Sequence, residues 1–96
     1  MSKKNRPVIC ILDMDKERCI REEKALEQAI ADKKIDVTGC ANFGPNHIAR
    51  TGLEEEQLPA IDLDGVYFTH KGDEKELTYE KLCDFLDMLV RRGYVK

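Results

Sequence analysis

Four cysteines, Cys10, Cys19, Cys40 and Cys83, are the residues of this chain best able to make and break covalent bonds. A thiol attacks or binds a soft metal as the thiolate, and dithiol exchange needs one thiol to attack and another to resolve the mixed disulfide. No pair has C-x-x-C spacing, so the pattern offers neither a structural zinc site nor a disulfide framework. Cys10 lies in an apolar run and Cys83 on an apolar helical stripe, which assigns both to core packing. Cys40, in G-C-A-N-F after a β-prone segment, reads as an exposed loop thiol open to oxidation, and Cys19 falls one turn into a helix. His47 and His70 have no ligand spacing with a cysteine or with the Glu54 to Glu56 run, so no metal is expected. There is no Ser-His-Asp arrangement, phosphate loop or H-E-x-x-H, and no cofactor is expected.

The elements that must position these residues follow from periodicity and turn chemistry. Pro7 to Leu12 is apolar on both faces, as in a central strand. Asp13 or Asp15 can cap a helix from Lys16 to about Asp32 or Lys33, with Cys19, Glu23, Leu26 and Ile30 inward and Glu17, Arg21, Glu22, Lys24 and Glu27 outward. Ile35 to Thr38, closed by Gly39, reads as the second strand, and Cys40 to Asn46 as a loop. Pro45 suits the first turn of a short helix that ends at Gly52.

Asp64-Gly65 between two short apolar runs is a hairpin signal, because the second position of a type I′ turn needs positive φ. Ala60 to Leu63 and Val66 to Thr69 should therefore pair antiparallel, with Pro59, which cannot donate to a ladder, marking where the hairpin begins. Tyr79, Leu82, Cys83, Leu86, Leu89 and Val90 make the stripe of a last helix headed by Thr78 and stopped by Gly93.

Ninety-six residues suit one domain, 7–96, after an N-terminal arm at 1–6. Hydrophobic content of 42% beside 36% charged residues is that of a globular chain. The net charge of −3 argues against a nucleic-acid footprint. No apolar run approaches the roughly 18 residues of a membrane span, and no signal-peptide core is present. A cytoplasmic protein without membrane or nucleic-acid partners is expected.

Gly52-Leu53, Pro59, Ile61 to Gly65 and Val66 to Thr69 resemble, in order, a segment of the thioredoxin-like proteins: a short helix ending in Gly, a cis-proline, and a hairpin before a terminal helix. The resemblance covers about Pro7 to Val90. It implies a three-layer α/β/α sandwich of order β-α-β-α-β-β-α with a mixed four-stranded sheet, and a cis Leu58-Pro59 bond. The family's C-x-x-C loop registers on Lys16-Glu17-Arg18-Cys19, which lacks the first thiol.

The family likeness thus implies a non-catalytic module that binds a protein or peptide segment at Lys16, Arg18, Gln57, Leu58 and Pro59. The alternative is a monothiol oxidoreductase in which Cys19, its pKa lowered by the helix dipole, exchanges with glutathione or a partner thiol. A carrier holding a metal or metalloid through its thiols is the third reading. Within G-C-A-N-F, Cys40 resembles such a loop with Phe43 in place of the second thiol.

Overall fold

The computed structural model describes residues 7–69 and 76–95. β1 (Val8–Leu12) lies inside a four-stranded sheet ordered β2-β1-β3-β4. It pairs parallel with β2 (Thr38–Asn42) and antiparallel with β3 (Ala60–Leu63), which turns back antiparallel into β4 (Val66–Thr69). The sheet is therefore mixed. Its hairpin turns at Asp64 (φ 50) and Gly65 (φ 93), the double positive φ of a type I′ turn, while the Asp62 carboxylate accepts from the Gly65 N–H at 2.8 Å.

Two helices, α1 (Lys16–Lys33) and α3 (Tyr79–Arg91), cover one face of the sheet. Ile9, Ile11 and Ile61 meet Leu26, Leu82 and Leu86 there, each at most 4% exposed. Fully burying side chains of this size stabilises by roughly 1.5–3 kcal/mol each, so this layer carries most of the fold. The far face is covered at one end by the short α2 (Pro45–Thr51), where Leu12, Ile48, Leu58 and Ala60 form a second, smaller cluster.

Helix ends follow their capping chemistry. Asp15 caps α1 by accepting from the Arg18 N–H at 3.0 Å, and Thr78 caps α3 by accepting from the Lys81 N–H at 3.3 Å. α3 ends in a Schellman motif at Gly93 (φ 81), where the Tyr94 N–H reaches Leu89 O and the Gly93 N–H reaches Val90 O.

α1 stops in the same way without a glycine. Lys34 takes φ 55, its N–H donates to Ala31 O, and the Ile35 N–H donates to Ile30 O. That motif displaces the second strand from its expected place. Ile35 and Val37 are core plugs in the connection, and the strand is built from Thr38-Gly39-Cys40-Ala41-Asn42. Cys40 therefore lies within β2, not in a loop.

Gly39 explains why a strand of weak β-formers is used at this point. A Cβ there would stand 3.0 Å from Ile30 Cδ1 and 3.1 Å from Leu26 Cδ2, so α1 can approach β2 only over a glycine. Gly39→Ala should lower the urea unfolding free energy by about 1 kcal/mol, at the lower end for overpacking because both obstructions are side-chain tips. An unchanged or raised midpoint would show that the helix does not press on this position.

Candidate functional site

The C-terminal end of β1, the start of α1 and the segment before β3 converge at one place. The Leu58–Pro59 peptide is cis, Pro59 is buried, and Leu58 is 2% exposed. Before it, Glu55–Gln57 form one turn of 3-10 helix. This turn is held by a capping box in which the Glu54 N–H donates to Gln57 Oε1 at 2.7 Å. A cleft of about 410 Å³ lies here, lined by Met14, Asp15, Arg18, Glu55 and Leu58. Beside it is a more apolar pocket of about 190 Å³, which shares Met14, Glu55 and Leu58 and adds Pro45, Ile48, Ala49 and Leu53.

Arg18 and Leu58 line the cleft together. Lys16, exposed at the first position of α1, turns towards Phe43, with its Nζ 5.7 Å from the ring centroid. The Gln57 side chain is engaged by its capping box, and Pro59 sits inward. Met14 and Glu55 belong to both pockets, although neither residue type nor spacing marks them in the sequence.

Behind the cleft lies a cluster that periodicity alone did not reveal. Asp13 is fully buried, and Arg18 grips it with two charge-assisted bonds, Nε to Oδ2 at 2.7 Å and Nη2 to Oδ1 at 2.6 Å. The Met14 and Asp15 N–H groups also donate to Oδ1, at 2.8 and 3.3 Å. Burial would raise the Asp13 pKa, but the bonds from Arg18 prevail and hold it below the ordinary aspartate value.

Glu22, expected on the outer face of α1, is instead 1% exposed. Its Oε2 accepts from the Leu77 N–H at 3.0 Å and stands 3.9 Å from Arg18 Nε, while Oε1 accepts from no donor and, protonated, can itself donate to the Asp13 carboxylate. Burial, and then the Asp13 carboxylate beside it, pushes its pKa up to about 8. The signal was present in spacing: Cys19, Glu22, Leu26 and Ala29 are the buried positions of α1, and Glu22 was placed outside only because of its charge.

Cys19 is 1% exposed. Burial, then the negative charges of Asp13 and Glu22, pushes its thiol up to about 11. The expected lowering by the helix dipole is thus overcome by desolvation and by two carboxylates the sequence had not placed there. In native protein at neutral pH, a maleimide should label Cys19 only slowly, with the rate rising to that of a free thiol in urea. Native labelling as fast as that of Cys40 would contradict the burial.

Among the described residues, no group of three or more His, Cys, Asp or Glu is placed to hold a metal. His70 and the 1–6 arm lie outside the described residues. No described helix is long and apolar enough to cross a membrane. Among the described residues the fold is a mixed α/β architecture with a four-stranded sheet and three α-helices. No family model, curated protein or solved structure matches the chain.

Proposed function

We propose that this chain is a thioredoxin-like domain that works by docking a protein or peptide segment at its cis-proline surface, without dithiol chemistry in the loop between β1 and α1. The order β-α-β-α-β-β-α and the sheet order β2-β1-β3-β4 support the assignment of fold. The observation that carries the functional reading is the cleft itself. Leu58, preceding the cis peptide, lines it with Arg18 and Met14, while Cys19, in the first turns of α1, is buried with its pKa raised. A cleft that keeps its shape without a reactive group suits recognition.

The chemistry of the lining narrows the partner. The Leu58 N–H donates to Glu55 O at 3.1 Å, so the Leu58 carbonyl is the backbone group a docked strand would use. The adjoining pocket, lined by Met14, Ile48, Leu53 and Leu58, suits one aliphatic side chain of the partner, with Glu55 at the border of both pockets.

Selection of a phage-displayed random peptide library on native protein tests this. Enriched peptides should carry an aliphatic anchor and lose binding to Met14→Glu and Glu55→Arg, two substitutions at exposed positions. Peptides that bind both variants as well as the parent, or rapid insulin reduction by native protein with dithiothreitol that is lost in Cys19→Ser, would remove the reading.

A further inference from the structure

The sheet face opposite α1 and α3 is covered unevenly. Leu12 and Ala60 lie beneath Ile48 and Leu58, but towards the other end Val8 and Tyr67 are 41% and 40% exposed, and Thr38 is exposed. One row of partners runs along the margin between the two halves: Cys40, Cys10, Asp62 and Tyr67 are successive register neighbours on β2, β1, β3 and β4, with Cys10 touching the Leu12 cluster. They share a face because Ile9, Ile11, Ala41, Ile61 and Phe68, at the alternate positions, all pack into the opposite core.

We propose that Cys10 and Cys40 form a dithiol that closes to an intrachain disulfide by exchange with a low-molecular-weight disulfide. Three observations carry this. Register neighbours on adjacent strands lie about 4.7–4.9 Å apart, inside the roughly 4.4–6.8 Å Cα separation that a disulfide spans. Both thiols are partly exposed, whereas Cys19 is buried. Cys40 is on an edge strand and Cys10 on the strand next to it, which gives an incoming disulfide an approach to one sulfur before the other.

The order of bond making follows. Burial, and then the neighbouring Cys40 thiol, pushes the Cys10 thiol up to about 12, so Cys10 is the poorer attacker. Cys40 loses its proton and attacks one sulfur of RSSR, breaking that bond and releasing RS⁻, which takes up the proton as RSH. Cys10 then attacks the Cys40 sulfur of the mixed disulfide. The Cys10–Cys40 bond forms, the second RS⁻ leaves and receives the Cys10 proton. The protein loses two electrons and two protons, and RSSR is reduced to two RSH. This site is independent of the peptide-docking cleft and stands whether or not that cleft has a partner.

The test is to equilibrate fully reduced native protein with graded mixtures of reduced and oxidised glutathione, quench in acid, alkylate the remaining thiols and map peptides by mass. The expected result is a peptide pair joined through Cys10 and Cys40, with Cys19 and Cys83 alkylated. Cys10→Ser should stop at a stable glutathione adduct on Cys40, and Cys40→Ser should show neither cross-link nor adduct. Two free thiols across the oxidising range, or wild-type protein that accumulates the Cys40 adduct without closing, would overturn the proposal. The wild-type map decides this even if a variant does not fold.

Discussion

Glu22→Gln should raise the urea midpoint strongly at about pH 8 and change it little at about pH 4. Burial pushes the Glu22 carboxyl up to about 8 in the fold, from an ordinary glutamate value of 4.5. Between those two values the native state holds a proton that the unfolded chain has released. Stability therefore falls as pH rises through the window, by up to ~1.4 kcal/mol per pH unit for this one group. Gln carries no such charge, keeps an oxygen to accept from the Leu77 N–H, and presents an N–H to Asp13 where the protonated acid stood.

Asp13 acts in the opposite direction. Its folded pKa is depressed from 3.8, so its contribution is present above that value and lost as pH falls through the lower folded pKa. Wild-type stability should thus peak in mildly acidic solution and decline on both sides. Parallel stability profiles of Glu22→Gln and wild type from about pH 4 to 9 would show that folding does not raise the Glu22 pKa.

The second large effect belongs to Arg18→Met, which keeps much of the side-chain volume and removes the only cation paired to Asp13 among the described residues. Breaking a buried pair from one side costs roughly 3–5 kcal/mol. The lower end is expected because the Arg18 side chain is 23% exposed. The loss should be largest at neutral pH and shrink in acid, where Asp13 can be neutralised. It should also shrink in the double variant with Glu22→Gln, because the amide can donate to Asp13, so the two changes should not add. Denaturation curves at two pH values for the four proteins of this cycle measure both points; a cost independent of pH would mean that Arg18 matters for packing alone.

These expectations rest on groups the sequence showed only in part. The hairpin was legible because a type I′ turn demands Asp-Gly chemistry, and α2 because Pro45 and Gly52 bracket it. β2 was misplaced by several residues. Ile35 and Val37 have the stronger β preference, yet the Schellman turn at Lys34 drew them into the core and left the strand to residues that suit a close helix approach. The inward positions of α1 had the right period, but a Glu among them reads as solvent-facing unless Asp13 and Arg18 are known to stand beside it. Contacts of that kind form between elements, and no local pattern encodes them. Met14 and Glu55 of the cleft were invisible for the same reason.

The uneven cover of the sheet has a bearing on how the molecule breathes. Amide protons along Ile9, Ile11 and Ile61 are shielded by a helical layer that must come apart to release them, which ties their exchange with solvent water to global unfolding. β2, on the edge and bare towards Thr38 on the far face, is tied to the same layer, because Val37 lies in that core and Gly39 packs beneath Leu26 and Ile30. Strands bare on one face and clamped on the other should open together with the helices, so anything that grips the bare side meets a surface backed by the whole cooperative core.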